Sequence, residues 1–168
     1  ITSVPLPIVD LAQQFCIQDN ATIASIPITG QNITWYDAAS NGTVLPASTV
    51  LQDGETYYAT QTVNGCESET IPVTVTIQNT AAPTGNNNQS FCSTANATLN
   101  EIVLAGTAIT WYDSLNGNVI LPNNTPLADG TTYYATQTVN GCESTLRLAV
   151  TISLINTLNA TNYSESLC

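Results

Sequence analysis

The residues best suited to chemistry in this chain are its five cysteines, and they are regularly spaced. Cys16, Cys92 and Cys168 follow one another at intervals of 76 residues. Cys66 and Cys142 each lie 50 residues after the first cysteine of their own interval. Cysteines at repeated spacings predict a disulfide framework, which would place the protein in an oxidising, extracellular setting.

Spacing alone leaves the pairing of the first four cysteines open, because four cysteines allow three connectivities. We expect each interval to close its own bond, which predicts the pairs Cys16–Cys66 and Cys92–Cys142. Cys168 is then either a free thiol or the first cysteine of a third, truncated module, and we favour truncation. Reduced thiols or zinc ligands are the alternatives, although the sequence contains neither a CxxC pair nor a histidine to build a zinc site.

The cysteine spacing is part of an internal repeat. Residues 57–68 return letter for letter at 133–144, and the longer stretches 16–68 and 92–144 share 30 of 53 residues without a gap. Identity on this scale indicates tandem modules. We predict the following modules: module 1 at 1–79, module 2 at 80–155, and the start of a third at 156–168.

Each module shows strand signals and no convincing helical periodicity. The clearest signal is a hairpin, in which the alternating run 57–63 is followed by an Asn64-Gly65 turn and a returning strand from Cys66. The run 22–26 is likewise predicted to be a strand. We therefore predict an all-β protein of tandem Ig-like β-sandwich modules, each stapled at one end by one disulfide. The expected core anchors are Trp35, Trp111, Tyr57 and Tyr133.

The charge composition excludes several classes of function. The chain has twelve carboxylates and one cationic side chain, Arg147, and its formal net charge is −11. Nucleic-acid binding needs cations to neutralise phosphates, so this class is excluded. Binding to anionic membranes is disfavoured for the same reason, and no run of residues is long enough for membrane insertion. A soluble, acidic protein of the cell surface remains the expectation.

Catalysis is not predicted. A general base that acts near neutral pH is usually a histidine or a tuned lysine, and the sequence has neither. The only carboxylate pair that could act, as in glycosidases, is Asp37 with Asp53, repeated as Asp113 with Asp129. All four lie beside turn residues, where aspartate normally accepts hydrogen bonds from the backbone. We therefore expect no catalytic residue.

Cofactors are not expected either, with calcium as the one candidate. Acidic surface modules often bind Ca²⁺ through carboxylates and loop carbonyls, and Asp10, Asp19, Asp37 and Asp113 could contribute. The sequence has no Asp-x-Asp-x-Asp-Gly loop, so solvated turn aspartates are the expected interpretation.

Tyr58 and Tyr134 are candidates for contact with a surface polysaccharide. They alternate with the expected core tyrosines and should point outward, where an aromatic face can stack on a sugar. The alternative is that they pack against neighbouring strands. Ser114, in Asp113-Ser114-Leu115, is a candidate for O-glycosylation, although module 1 has Ala38 at the matching position.

The combined motifs resemble a known family. They are Phe-Cys at 15–16 and 91–92, Ile-Thr-Trp-Tyr-Asp at 33–37 and 109–113, Asp-Gly at 53–54 and 129–130, and the twelve residues at 57–68 and 133–144. With these the chain resembles the Ig-like repeats of very large cell-surface proteins from gliding Bacteroidota, in particular the flavobacterial gliding-motility adhesins. The resemblance implies type IX secretion, display as long surface filaments, and no catalytic residues.

We therefore predict a non-enzymatic repeat segment of a secreted cell-surface adhesin, whose modules act as a stalk that presents adhesive surface. Neighbouring Ig-like modules are the expected partners. One alternative is a structural subunit of an extracellular filament, joined through Cys168 or by strand exchange. The other is an accessory module of a secreted glycan-degrading enzyme.

Overall fold

The computed structural model describes residues 3–156, which divide between Asn79 and Thr80 into two compact units. These are called module 1 and module 2 below, and each is described by itself. Residues 157–168, which include Cys168 and nearly all of the predicted third module, lie outside the described residues. Within the described range, no helix has the length and apolar character needed to cross a membrane.

Module 1 consists of two small sheets and two 3₁₀ turns. Its five principal strands lie side by side in the order β2-β8-β6-β4-β5, with β7 paired to the end of β6. β2 runs parallel to β8 and the other neighbours are antiparallel, while β1 pairs with β3 in a second sheet. The strands are β1 (Ile8–Val9), β2 (Ala12–Cys16), β3 (Ile28–Thr29), β4 (Ile33–Tyr36), β5 (Val44–Leu45), β6 (Thr56–Val63), β7 (Cys66–Glu67) and β8 (Ile71–Gln78), with 3₁₀ turns at Ile17–Asp19 and Ile23–Ser25.

Module 2 repeats this arrangement. Its principal sheet has the order β10-β17-β14-β12-β13, β9 pairs with β11, and β15 pairs with β16. β10 runs parallel to its neighbour β17, as β2 does to β8 in module 1. The strands are β9 (Thr84–Gly85), β10 (Asn88–Cys92), β11 (Leu104–Ala105), β12 (Thr110–Tyr112), β13 (Ile120–Leu121), β14 (Thr132–Thr136), β15 (Thr138–Val139), β16 (Cys142–Glu143) and β17 (Leu148–Ile155), with 3₁₀ turns at Ser93–Ala95 and Leu99–Glu101.

The all-β, Ig-like prediction is confirmed, because the described residues form two sets of β-sheets without an α-helix. Period-two alternation explains the core: in β8, Val73 and Val75 are fully buried while Thr74 and Thr76 are exposed. The strand predicted at 22–26 is wrong. Ile23–Ser25 is a 3₁₀ turn, in which the Ser25 hydroxyl accepts a hydrogen bond from the Thr22 N–H at 3.0 Å. Such local side-chain bonds compete with strand pairing.

The four expected anchors lie in the two hydrophobic cores. The tryptophans are 7% and 4% exposed and the tyrosines 6% and 5%. Each buried tyrosine also satisfies its polar end, because the Tyr57 hydroxyl accepts from the Gln52 N–H at 2.9 Å and the Tyr133 hydroxyl from the Ala128 N–H at 3.2 Å. Burial of a tyrosine costs little free energy when its hydroxyl is hydrogen-bonded in this way. The core anchors are Trp35, Trp111, Tyr57 and Tyr133.

The two cysteines of a module lie at opposite ends of its sheet. Cys16 is level with Gln78 at the end of β8, whereas Cys66 is level with Val63 at the far end of β6. The strand registers place eleven residues of strand between these levels, a distance on the order of 30 Å at about 3.3 Å per residue. A disulfide requires Cα atoms within about 7 Å. The predicted Cys16–Cys66 bond is therefore wrong.

The same strand registers in module 2 place Cys92 level with Ile155 and Cys142 level with Val139, so the predicted Cys92–Cys142 bond is wrong too. Cys16 and Cys142 are each disulfide-bonded in the structure. Cys92 is also disulfide-bonded, and Cys66 is a free, exposed thiol. Sequence repetition shows which cysteines are equivalent, but it does not show whether a cysteine bonds within its own copy.

Candidate functional site at the cysteine hairpins

The second cysteine of each module lies on a tight two-residue hairpin. Asn64 and Gly65 both adopt positive φ, 50° and 79°, and so do Asn140 and Gly141, at 50° and 80°. Asn-Gly is the pair best able to adopt these angles, which match the twist of the flanking strands. The turn therefore fixes the register, so that the cysteine opens the returning strand opposite the last valine of the preceding strand.

A glutamate next to the cysteine ties the hairpin to the outer face of the sheet. In module 1, Glu67 Oε1 accepts hydrogen bonds from the Tyr36 hydroxyl at 2.7 Å and the Thr60 hydroxyl at 2.6 Å. The same contacts occur in module 2 among Tyr112, Thr136 and Glu143. We call each set the Tyr–Thr–Glu network. The sequence alone did not predict this network, although its members lie in the two motifs that repeat without change.

These hydrogen bonds shift the pKa values of the groups that share them. Hydrogen bonds from Thr60, and next from Tyr36, lower the pKa of Glu67 because they stabilise its ionised form. The hydrogen bond to Glu67 in turn raises the pKa of Tyr36. Burial is the main cause of the raised pKa of Tyr112, followed by the hydrogen bond to Glu143. The network of module 1 therefore favours an ionised Glu67 and a neutral Tyr36, and the network of module 2 favours a neutral Tyr112.

A glutamine on the opposite side of the hairpin binds the entering chain. In module 1, Gln61 accepts from the Gln31 N–H at 3.0 Å and donates to the Pro5 carbonyl at 2.8 Å. Its own N–H donates to the Ser68 hydroxyl at 3.0 Å. We call this the entry end of the module, and the end at which β8 or β17 finishes the exit end. In module 2 the corresponding residues are Gln137, Thr107, Ala81 and Ser144.

The surroundings of the two hairpins differ. In module 2 the Arg147 guanidinium lies 3.6 Å from the centre of the Tyr112 ring and donates to the Ser114 carbonyl at 2.6 Å. The equivalent residue in module 1 is Ile71, which has no charge. Cys142 is 2% exposed and accepts a hydrogen bond from the Thr80 hydroxyl at its carbonyl, at 2.9 Å. Cys66 is exposed to solvent.

The tyrosines considered for polysaccharide contact lie on the outer faces of the sheets and are half-buried. Tyr58 is paired across the strands with Tyr36 and Pro72, and Tyr134 with Tyr112 and Ala149. Cross-strand neighbours cover part of each ring, and the remainder faces solvent. Glycan contact at these rings stays a prediction.

The candidate catalytic carboxylates are engaged in turns. Asp37 accepts from the Thr43 N–H at 2.6 Å and Asp53 from the Ile77 N–H at 2.8 Å. Asp129 likewise accepts from the Leu154 N–H at 2.7 Å. Asp113 accepts from the exposed Ser114 hydroxyl at 3.0 Å. Each of these carboxylates thus accepts a hydrogen bond from its own module. O-glycosylation of Ser114 stays a prediction.

The calcium candidates are not brought together. Asp19 accepts from the Cys16 N–H at 3.0 Å, and Asp37 and Asp113 have the partners named above. Between residues 3 and 156 the structure contains no group of three acidic or cysteine side chains that could hold a metal ion. The arrangement of Asp10, Asp19, Asp37 and Asp113 therefore gives no support to the calcium hypothesis.

Comparison with known proteins identifies the module type. A search of curated proteins finds no match to this chain. A family model described as "Ig-like domain CHU_C associated" matches twice, at residues 5–78 and 81–155, and these matches cover most of the sequence. The matched ranges each include one cysteine hairpin, one tryptophan core and one Tyr–Thr–Glu network. The chain therefore belongs to the family of CHU_C-associated Ig-like domains, of which it contains two copies in tandem.

Proposed function

We propose that the two modules are stalk segments of a secreted cell-surface adhesin, which extend and present adhesive surface in attachment and gliding motility. The main observation behind this proposal is that both modules contain the same structural feature, the cysteine hairpin with its Tyr–Thr–Glu network. In both copies the polar side chains of this feature form hydrogen bonds within their own module. Such use of polar residues suits a module that carries mechanical force.

Two findings favour a structural over a catalytic role. Domains of this family are typically non-catalytic. The carboxylates with the best spacing for acid–base chemistry accept backbone hydrogen bonds instead. A general base must reach the proton that it abstracts, and a carboxylate held by a backbone N–H of its own module is less free to do so.

Disulfide bonding and acidic charge favour a location outside the cell. Disulfides persist in oxidising compartments, and the chain contains them. The net charge of −11 disfavours association between separate chains in solution, because like charges repel. The resemblance to the gliding-motility adhesins of flavobacteria supports the rest of the proposal, which is type IX secretion and display in surface filaments.

The proposal can be tested on intact cells of the organism that produces the protein. Antibodies raised against residues 3–156 should label unpermeabilised cells, and monovalent Fab fragments should slow gliding and reduce attachment to glass. Fab fragments against an unrelated surface protein are the matched control. Labelling that appears only after lysis would overturn the proposal, and surface labelling without any effect on attachment or movement would remove the motility role.

A polysaccharide partner is a second, narrower proposal, and the half-exposed outer-face tyrosines favour it. The test is co-sedimentation of the chain with insoluble polysaccharides. Replacing Tyr58 and Tyr134 by alanine should abolish binding, because stacking on an aromatic face would be lost. Equal sedimentation of the wild-type and variant chains would contradict binding at these rings, and no sedimentation of either chain would leave the modules as spacers only.

A further inference from the structure

A cleft with a volume of about 230 Å³ lies beside the Tyr–Thr–Glu network of module 1. It is lined by Tyr36, by the turn at 38–42 and by the segment 67–70 that follows the cysteine hairpin. Tyr36 is half-buried, and the two glutamates of the segment are exposed. Sites for drug-sized ligands usually measure about 300–1,000 Å³. The cleft therefore has the size for a single side chain or a comparably small group.

Module 2 shows which group the same motif accepts. The Arg147 guanidinium lies 3.6 Å from the centre of the Tyr112 ring and donates to the Ser114 carbonyl at 2.6 Å. In the repeat, Tyr112 and Ser114 correspond to Tyr36 and Ala38. An aromatic face and a turn carbonyl that both modules possess thus bind a guanidinium in module 2.

Module 1 has the same ring and turn but no cation to place there, because Arg147 is the only lysine or arginine in the sequence. The Thr70 hydroxyl donates to the turn instead, at the Ala39 carbonyl and a distance of 3.2 Å. Threonine is much shorter than arginine. The space beside Tyr36 therefore stays open as the cleft.

The charge of the cleft also favours a cation. Glu67 and Glu69 both line it, whereas module 2 has no acidic residue between Glu143 and Arg147. The two hydrogen bonds of the network reach only Oε1 of Glu67, so its other oxygen can accept from a ligand. These bonds also lower the pKa of Glu67, which keeps the carboxylate ionised at neutral pH.

We propose that this cleft of module 1 is a binding site for a guanidinium group, carried by an arginine side chain of a partner protein. The group stacks on the Tyr36 ring, donates to a carbonyl of the turn at 38–42 and pairs with Glu67. A planar guanidinium suits this combination because it stacks and donates at the same time, which an ammonium does less well. Arg147 is engaged within module 2, so the group comes from outside this sequence.

The test is a titration of the isotope-labelled full chain with Nα-acetyl-arginine methylamide, followed through backbone amide chemical shifts. This probe resembles an arginine residue within a protein. We expect saturable shifts at 36–42 and 67–70 with millimolar affinity, because one exposed cation–π contact is weak. The amides at 112–118 should not respond, since Arg147 already covers that ring. No saturable shift at 36–42 would overturn the proposal.

Matched probes separate guanidinium recognition from general attraction to an acidic protein. The citrulline analogue has the same shape without the charge, and the lysine analogue has the charge without the planar group. Both should bind at least about threefold more weakly than the arginine probe. Equal binding of either analogue would overturn the proposal.

Free arginine distinguishes the two sources of a guanidinium. Its own carboxylate should be repelled by Glu67 and Glu69, so we expect it to bind more weakly than the blocked probe. That result assigns the site to an arginine residue of a protein. Tighter binding of free arginine would overturn the assignment to a protein partner and indicate a small-molecule ligand.

Two variants test the contacts in module 1. Tyr36→Leu removes the aromatic face and should weaken binding by about fivefold. Glu67→Gln retains the shape of the side chain, removes its charge, and should also weaken binding, which keeps the test valid if the leucine variant unfolds module 1. The amide spectrum of each variant checks its fold. Unchanged affinity in both folded variants would overturn the proposal.

Arg147→Ala is the reciprocal variant, because it uncovers the Tyr112 ring. We expect this change to create a second guanidinium site, with saturable shifts at 112–118 that the wild-type chain lacks. Failure of a folded Arg147→Ala chain to bind the probe there would contradict the correspondence between the two modules on which the proposal rests. The stalk function is tested separately by the cell-surface experiment.

Discussion

The two cysteine hairpins have identical sequences and the same Tyr–Thr–Glu network, yet they occupy different environments. In module 1 the cysteine and its neighbouring glutamate are exposed. In module 2 the cysteine is 2% exposed, Tyr112 is 7% exposed, and Arg147 stacks on its ring. An identical local sequence therefore fixes the hairpin and its internal hydrogen bonds, whereas residues outside the repeated segments, such as Arg147, change the surroundings of the network.

This comparison separates two contributions to stability. Hydrogen bonds to a charged group contribute about 1.5–3 kcal/mol at buried sites, and solvent weakens them at exposed ones. Module 1 thus shows the network mostly in water, and module 2 shows it partly shielded. The two Tyr–Thr–Glu networks can therefore be compared within one chain.

The largest expected effect tests whether the modules are stable independently. Trp35→Ala should destabilise module 1 by about 3–5 kcal/mol, because the core anchor leaves a cavity. Trp111 is then the only tryptophan and reports on module 2, so its midpoint in guanidinium denaturation should stay near the wild-type value. Trp111→Ala gives the reciprocal measurement. A large shift of the remaining midpoint in either variant would show that the modules unfold together.

Removal of the tyrosine hydroxyl should affect the two networks unequally. We expect Tyr112→Phe to cost about 1–2 kcal/mol and Tyr36→Phe about 0.5 kcal/mol, since burial strengthens the bond to the glutamate in module 2. Denaturant unfolding followed by Trp111 or Trp35 gives the two values, with the other tryptophan replaced by phenylalanine. Equal costs would mean that exposure does not distinguish the networks.

A substitution at one position can make module 2 resemble module 1. Arg147→Ile installs the residue found at the equivalent position 71 and removes the stacking on Tyr112 and the bond to the Ser114 carbonyl. A cation–π contact of this kind contributes about 0.5–1 kcal/mol at a partly exposed site. The unfolding midpoint of module 2 should fall by that amount, and the pKa of Tyr112 should rise further, because Arg147 lowers it. Ultraviolet titration of tyrosine checks the second outcome.

The smallest effect concerns acid stability. Hydrogen bonds from Thr60 and Tyr36 hold the folded pKa of Glu67 below its ordinary value. A depressed carboxyl pKa stabilises the fold above the unfolded pKa of about 4.3, and this contribution disappears as the pH falls through the folded value. Because Glu67 is exposed, we expect only a few tenths of a kcal/mol. Glu67→Gln should flatten the pH dependence of Trp35-monitored unfolding below about pH 4.3, and an unchanged slope would contradict this interpretation.

Much of the fold could be predicted from local pattern. The hairpin follows from alternation around Asn64-Gly65, and the buried face of β8 follows from the valines at alternate positions. The 3₁₀ turn at Ile23–Ser25 could not be distinguished from a strand, because a run of five residues satisfies both patterns and the Ser25 bond to Thr22 decided the outcome. The parallel pairing of β2 with β8 joins residues more than 60 positions apart, which local pattern does not specify.

The candidate site likewise combines features that the sequence predicted with features that it did not. The sequence identified the cysteines and the repeated motifs. It did not predict that the Tyr36 and Thr60 hydroxyls both donate to one oxygen of Glu67, because strand register and side-chain direction bring these groups together. The predicted disulfides were wrong for a related reason. Equal spacing in two copies is compatible with several pairings, and only the distance between cysteines in the folded chain excludes a bond.

Repetition, alternation and turn chemistry are local properties, so the sequence by itself determined the number of modules, their all-β character, the tryptophan cores and the position of each hairpin. Tertiary structure alone decided that the two cysteines of a module lie at opposite ends of its sheet, because a disulfide requires a separation of a few ångströms that only the folded chain defines. It also decided that one hairpin thiol is buried in a bond while its equivalent is free in solvent.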